Sequence, residues 1–182
     1  MPNDSSNHRD PDIQDYWSLV DRAQELIPTR VDGVDMEASR LVMSLNRATR
    51  TVIYDLDVQT LRPLHQTDST FRVLFVLWVA GPSSPHMVAS LSSMPRPTVS
   101  SLITSLRKDG LVERQDDPED GRGATLHLTP AGIEVIAKAF ADHNRREQEW
   151  ASLLTPIERK LLIMLLEKLM NGRRDIGAVE RR

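Results

Sequence analysis

The chain of 182 residues contains no cysteine. It therefore forms no disulfide and has neither a thiolate metal site nor a thiol-based redox switch. Its longest apolar run, Val73–Ala80, is far too short to span a bilayer, and the first residues do not have the charged-then-apolar pattern of a secretion signal. We therefore expect a cytoplasmic protein with no membrane partner.

The chain also lacks an excess of positive charge. Its 23 lysines and arginines are outnumbered by 26 acidic residues, which gives a formal net charge of −3. Overall charge therefore gives no support for a nucleic-acid partner, and any positive field must be local. Hydrophobic residues make up 40% of the chain, and this share and the length fit one ordinary folded domain.

Signatures of enzymes, metal sites and nucleotide-binding sites are missing as well. No glycine-rich loop follows a predicted strand, and no serine stands in a recognisable nucleophile motif. The histidines are scattered without metal-ligand spacing. We therefore predict no catalytic residue, no metal and no cofactor. The histidines are His8, His65, His86, His127 and His143.

Residues 84–129 are the most informative stretch, because they combine a short helix, a turn and a second helix. The first helix is predicted over Pro85–Leu91, with Ser83 or Ser84 as its N-cap and proline in the first turn. The second helix is predicted over Arg96–Asp109 and ends at Gly110, which tolerates a positive φ. The first helix should bury Val88, Ala89 and Leu91.

The second helix is strongly amphipathic. Val99, Ile103 and Leu106, together with Leu102, form one apolar stripe. The opposite face carries short hydroxyl side chains and long cations, which suit a helix in a major groove, with small donors near base edges and cations near phosphates. These outward residues are Arg96, Thr98, Ser101, Thr104, Ser105 and Lys108.

Two short strands are predicted after the helix pair, over Leu111–Arg114 and Ala124–Leu128. The polar turn QDDPEDGRG between them places Arg122 between two glycines at its tip, where it would suit a narrow minor groove of negative potential. An isolated turn of this kind is more often a surface turn with a solvated arginine, but its position after the helix pair favours the DNA-binding interpretation. The predicted fold class is mainly α with a small β-hairpin wing, a winged helix-turn-helix.

Residues 67–133 resemble the multiple-antibiotic-resistance regulator (MarR) family of bacterial repressors. The matching runs are RPTVSSLITSLRKDGLVER, DPEDGR and LTPAG, in the family's order and spacing. With weaker motifs in the flanking helices, the resemblance covers most of the chain. It implies a homodimer that binds double-stranded DNA.

The resemblance also implies particular DNA contacts. Arg122 would face the minor groove, and Asp120 would orient it. Pro95 departs from the family, which often has a serine cap there, so the recognition helix is expected to start differently. The residues expected toward the major groove are Thr98, Ser100, Ser101 and Thr104.

Charge near this surface is mixed. Arg96, Lys108 and Arg114 supply cations for phosphates, whereas acidic residues at the base of the wing oppose them. We therefore expect DNA affinity to depend on dimer geometry and base contacts, and to fall steeply with salt.

The remaining helices come from both ends of the chain. We expect a disordered tail at 1–11, N-terminal dimerisation helices in 12–66, the DNA-binding domain at 67–129 and C-terminal dimerisation helices in 130–182. In the first of these parts, helices are predicted over Ile13–Ile27 and Met36–Leu56. The inward residues of the second are expected to be Leu41, Leu45, Ala48, Val52 and Leu56. After the wing, one helix should run to about Trp150 with Ile133, Ile136, Ala137 and Phe140 as its inward stripe.

The last predicted helix opens with a capping box of Thr155 and Glu158 and runs to about Met170. Its centre, LLIMLL, is apolar on nearly every side, which a monomer's surface helix could not hide. We therefore place it in a subunit interface. Two terminal helical parts flanking a winged domain would let a two-fold dimer hold two recognition helices about one turn of DNA apart, over an inverted repeat.

Trp17, in the added N-terminal helix, resembles the tryptophan of the urate-responsive branch of the family. Two other pocket positions of that branch, an aspartate and an arginine, correspond to Arg72 and Leu102, and neither is retained. Arg72 would instead suit a carboxylate or phenolate ligand, since a guanidinium binds such groups bidentately. We name Trp17, His65 and Arg72 as candidate ligand contacts. The simpler interpretation is a packing tryptophan and a solvated or ion-paired arginine.

Two functions of different classes follow from these patterns. The first is a ligand-responsive DNA-binding regulator, expected to be a repressor, whose small-molecule effector changes the spacing of the recognition helices. The alternative is a winged-helix protein-interaction module that does not bind DNA, which the net negative charge favours. An enzyme is the third and least supported hypothesis.

Overall fold

The computed structural model describes residues 14–116 and 124–179, and their contacts group into two compact units that divide between Thr51 and Val52. Helices account for most of these residues, with one two-stranded sheet. The elements are α1 (Tyr16–Leu26), α2 (Met36–Leu56), α3 (Asp68–Ala80), α4 (Pro85–Ser92), α5 (Arg96–Lys108), β1 (Val112–Asp116), β2 (Ala124–Leu128), α6 (Pro130–Ser152) and α7 (Pro156–Asn171).

The first unit contains α1 and most of α2. A capping box opens α1, in which the Asp15 carboxylate accepts the backbone N–H of Ser18 at 2.8 Å and the Ser18 hydroxyl accepts the N–H of Asp15 at 2.9 Å. The two helices are joined by polar contacts. The Tyr16 hydroxyl donates to the Met43 carbonyl at 2.8 Å, and Arg40 pairs with Asp21 at 2.9 Å.

The predicted inward stripe of α2 is confirmed only at the end of the helix, where Val52 is half-buried and Leu56 is buried. Leu41, Leu45 and Ala48 are exposed. An apolar stripe is buried only where another element packs on it, and sequence periodicity does not show whether that element belongs to the same chain.

The second unit has one hydrophobic core, formed by α3, α4, α5, the hairpin and the first half of α6. Side-chain caps begin several of these helices, and those of Ser84 and Thr155 lie at positions that the sequence predicts. Thr67, Ser84, Thr129 and Thr155 accept N–H groups of α3, α4, α6 and α7. The largest fully buried side chains of this core are Leu61, Leu74, Leu106, Leu126 and Ile136.

The sheet is an antiparallel hairpin whose register runs from the Val112–Leu128 pair to the Asp116–Ala124 pair. β1 therefore begins one residue later and ends two residues later than predicted. Ser83 adds a single bridge to Leu126, with its N–H 3.2 Å from the Leu126 carbonyl. This bridge ties the start of α4 to the hairpin.

Three predicted inward positions lie on the surface instead. Leu91, Ile133 and Ala137 are exposed, so the buried face of α6 is rotated from the one predicted. The predicted Ile136 is buried, but α6 also packs on the core through small or polar residues that a hydrophobic pattern does not indicate. The buried residues of α6 are Gly132, Ile136, Ala139 and His143.

Helix α7 is exposed along its whole length within the described chain. Its six central apolar residues, Leu161–Leu166, have exposed fractions between 36% and 56%. No helix of the described residues combines the length and apolar character needed to cross a membrane.

Candidate DNA-binding surface

The candidate surface is the outer face of α5. Val99, Ile103 and Leu106 are buried on the inner face, and the partly buried Leu102 packs against the same core. Thr104 donates its hydroxyl to the Ser100 carbonyl at 3.0 Å, which keeps this side chain close to the helix. The predicted outward residues are all exposed: Arg96, Thr98, Ser100, Ser101, Thr104, Ser105 and Lys108.

The N-terminus of α5 is formed by backbone geometry. Pro95 occupies the N-cap position in extended conformation, and no side chain of the described residues caps the helix. Ser93 has a φ of 55°, which turns the chain sharply between α4 and α5, and Met94 is buried beneath the turn. Pro95 in place of the family's serine cap therefore leaves α5 without a side-chain cap, but the helix still begins at Arg96.

The C-terminus of α5 follows the predicted pattern. Gly110 has a φ of 71°, in the left-handed region that favours glycine, and the N–H of Leu111 returns to the Leu106 carbonyl at 2.9 Å. Arg107 and Lys108 lie in the last turn, where cations suit the negative end of the helix dipole.

Arg114 is exposed on β1. The tip of the wing, residues 117–123, lies outside the described residues. The predictions for Asp120 and Arg122 therefore stay predictions.

The recognition helix and the hairpin are fixed to α6 by a tight backbone contact. The Thr129 N–H donates to the Leu111 carbonyl at 3.1 Å, and the Thr129 hydroxyl donates to the Gly110 carbonyl at 2.7 Å. A Cβ atom at Gly132 would lie 2.1 Å from the same Leu111 oxygen, so only glycine fits there. This contact explains the glycine of the LTPAG run.

Two polar clusters join distant parts of the second unit, and neither has a local pattern in the sequence. In one, the Asp55 carboxylate accepts two hydrogen bonds from Arg146, at 2.7 and 2.9 Å, and one from the Trp150 indole at 2.7 Å. These hydrogen bonds hold the pKa of Asp55 below its ordinary value, and those from Arg146 have the largest effect. The cluster links the end of α2 to α6.

The other cluster surrounds His143. The Thr60 hydroxyl donates to the Leu56 carbonyl at 2.7 Å, so its oxygen accepts from Nδ1 of His143 at 3.2 Å. The His143 ring stacks on Phe71 with 4.6 Å between centroids. This histidine is therefore a buried structural residue that joins α6 to α3 and to the segment after α2.

The candidate ligand contacts lie on separate elements. Trp17 is 51% exposed and packs edge-on against Tyr16, and His65 is exposed with a φ of 54°. The Arg72 guanidinium donates to the Ser92 carbonyl and lies 3.6 Å from the Asp68 carboxylate. A ligand carboxylate would have to compete with those partners.

Over 14–116 and 124–179, no group of three or more histidine or acidic side chains could hold a metal ion. A cavity of about 290 Å³ in the first unit is lined by Tyr16, Met43, Asn46, Arg47 and Arg50.

Comparison with known proteins identifies the winged segment. Residues 67–123 match the model of the MarR family. The winged segment of this chain is thus similar to the MarR family, as the resemblance predicted. The curated relatives of the chain are named as transcriptional regulators, and Escherichia coli MarR is among the solved structures that share its fold.

The similarity to curated relatives covers more of the chain than the winged segment. The HTH-type transcriptional regulator YwaE of Bacillus subtilis is 25% identical over 152 residues, which cover 84% of this chain and 89% of YwaE. A second regulator of that organism, YkoM, is 34% identical over 98 residues, covering 54% of this chain and 64% of YkoM.

Solved structures show the same fold. BpsR of Bordetella bronchiseptica superposes with a TM-score of 0.67 at 26% identity, covering 72% of this chain and 98% of BpsR. Escherichia coli MarR superposes with a TM-score of 0.60 at 26% identity, covering 72% of this chain and 94% of MarR. The mainly helical winged fold predicted from the sequence is confirmed.

Proposed function

We propose that this protein is a homodimeric repressor that binds an inverted-repeat operator in the cytoplasm and is released by a small aromatic ligand. The observation that carries the proposal is the outer face of α5. It presents hydroxyl groups and cations to solvent opposite a buried apolar stripe. Such a face serves little purpose in a core helix, but it supplies donors for base edges and cations for phosphates in a major groove.

The exposed apolar residues support the dimer. Leu161–Leu166 of α7 and the α2 stripe at Leu41 and Leu45 are exposed in the single chain. Contiguous apolar surface of this kind is rare on a soluble monomer and marks an interaction site. A second copy with its own α2 and α7 is the occupant we propose, since a two-fold interface brings identical patches together.

The ligand part of the proposal is supported by one solved structure. BpsR, at 26% identity, is a protein whose DNA binding is regulated by 6-hydroxynicotinic acid. We extend this regulation to the present chain as a phenolic or carboxylate aromatic effector, with Trp17, His65 and Arg72 as candidate contacts. Release of DNA would require the effector to bind more tightly to the arrangement that does not fit the operator.

Fluorescence anisotropy with the DNA upstream of the coding region tests the first step. We expect tight binding that a scrambled duplex of equal length does not compete away, and a steep loss of affinity as salt rises. The variant Thr98→Ala should lose discrimination between the two duplexes. The matched change Thr29→Ala alters an exposed threonine after α1, and that variant should keep the discrimination of the parent.

A chain that bound both duplexes equally at low salt would contradict sequence-specific recognition. Indifference to DNA together with a stable complex with another protein would favour the interaction module instead. Analytical ultracentrifugation of the same samples tests the dimer, because a monomer at micromolar concentration would contradict it.

A further inference from the structure

The Arg72 side chain connects α3 to the turn of the helix-turn-helix. Its Nη2 donates to the backbone carbonyl of Ser92, the last residue of α4. Ser92 is 3% exposed and the Arg72 side chain 39%, so a buried carbonyl accepts from a partly solvated guanidinium, and this charge-assisted hydrogen bond is stronger than one between neutral groups. A cation is also favoured at this end of α4, where the helix dipole is negative.

The segment that follows Ser92 decides where the recognition helix begins. Ser93 has the left-handed φ of 55°, Met94 is buried, and Pro95 starts α5. The residues of α5 do little to stabilise the first turn of this helix. Among the described residues it has no side-chain cap and no acidic residue there, and Arg96 brings a cation to the positive end of the helix dipole. The position of that turn therefore depends on the contacts made by the residues before it.

Arg72 is itself held from the other side. Asp68, one turn earlier on α3, has a carboxylate oxygen 3.6 Å from Nη1 of Arg72. The backbone N–H of Asp68 donates to the Asp57 carboxylate at 3.1 Å, and Asp57 also accepts from Nε of Arg62 at 2.8 Å. Asp57 opens the π-helical turn that follows α2. A continuous polar series thus runs from the end of α2 to the turn before α5.

We infer that Arg72 is a positioning residue for DNA recognition. It does not contact DNA; it fixes the Ser92–Pro95 turn and thereby the first turn of α5, where Arg96 and Thr98 lie. Asp68 and Asp57 keep the guanidinium in place and connect it to the end of α2. The inference rests on the proposed function in so far as α5 is the helix that contacts DNA.

The first experiment separates positioning from phosphate binding. Operator affinity of Arg72→Met and Arg72→Lys is measured by anisotropy over a series of salt concentrations. Loss of one hydrogen bond from a charged donor should weaken binding about tenfold in Arg72→Met. The slope of log affinity against log salt should stay that of the parent, whereas loss of a phosphate contact would lower it by about one.

Arg72→Lys and a third variant, Arg145→Met, act as controls. Arg72→Lys keeps a charged donor for the Ser92 carbonyl without the planar fork, so this variant should recover part of the affinity. Arg145→Met removes a similar surface guanidinium, which pairs with Asp142 within α6, and should leave affinity within about a factor of two. Unchanged affinity in Arg72→Met, or a reduced salt slope, would overturn the inference.

The second experiment needs no DNA and remains decisive if the proposed function fails. Amide hydrogen exchange is measured for Ser93 and Met94, whose N–H groups donate to the Ser90 and Ala89 carbonyls at 3.2 Å. In Arg72→Met both amides should exchange about tenfold faster, because the turn opens more often. The Ile133 amide, bonded to Thr129 at the start of α6, should not change. Equal exchange of Ser93 and Met94 in variant and parent would refute a positioning role.

Discussion

Replacing Gly132 by alanine tests the packing that fixes the recognition helix to α6. The added Cβ would lie 2.1 Å from the Leu111 carbonyl oxygen and 3.0 Å from its carbon, whereas ordinary contact begins at 3.4 Å. The carbonyl cannot move away freely, because it accepts the Thr129 N–H at 3.1 Å. The start of α6 or the α5–β1 turn must therefore shift.

Two opposing effects set the size of the change. Alanine favours a helix over glycine by about 1 kcal/mol, which alone would stabilise the variant. Overpacking against rigid backbone costs about 3 kcal/mol, at the upper end of the usual range. The net loss should be about 2 kcal/mol, which lowers Tm by about 4–8 °C for a chain of this length.

Thermal unfolding followed by circular dichroism measures this loss, with Gly172→Ala as the matched control. Gly172 has a φ of −76°, and the nearest atom to an added Cβ is a carboxylate oxygen of Asp175 at 4.0 Å. That variant should be as stable as the parent or slightly more stable. A Gly132→Ala protein with unchanged Tm would refute the close approach of α6 to Leu111.

Three further variants test other parts of the structure. Asp55→Asn should destabilise the fold at neutral pH. Because the pKa of Asp55 is lowered in the folded protein, the ionised carboxylate stabilises the parent fully above the carboxyl's ordinary pKa. That stabilisation is lost as the pH falls through the lower folded pKa. The Tm values of the two proteins, measured against pH, should therefore differ least in acid. Thr155→Ala removes the cap of α7 and should cost about 1 kcal/mol in urea unfolding, and equal midpoints would contradict the cap. Arg122→Ala should weaken binding to all DNA sequences in a gel-shift assay, and unchanged affinity would remove the wing from the mechanism.

The winged segment could be predicted from the sequence because its signals are local. Ser84, Thr129 and Gly110 each act within one turn of a helix, and the spacing of Val99, Ile103 and Leu106 defines one face of α5. Such signals act over a few residues and can be found in a single chain.

Burial and long-range polar contacts could not be predicted in the same way. Leu41 and Leu45 have the spacing of a buried stripe, but burial depends on what packs against it, and they are exposed here. Asp55 meets Arg146 across 91 residues of sequence, and Thr60 meets His143 across 83. Neither pair has a local pattern, because only the packing of α6 against the end of α2 brings its members together.

Hydroxyl-radical footprinting of the upstream DNA tests the central claim most directly. If the exposed face of α5 recognises DNA in a two-fold dimer, two protected patches should appear with centres about 10 base pairs apart, or a multiple of one helical turn. Both patches should disappear together in Thr98→Ala at the protein concentration that protects with the parent. A single patch, or a footprint that the variant leaves intact, would contradict recognition by paired α5 helices.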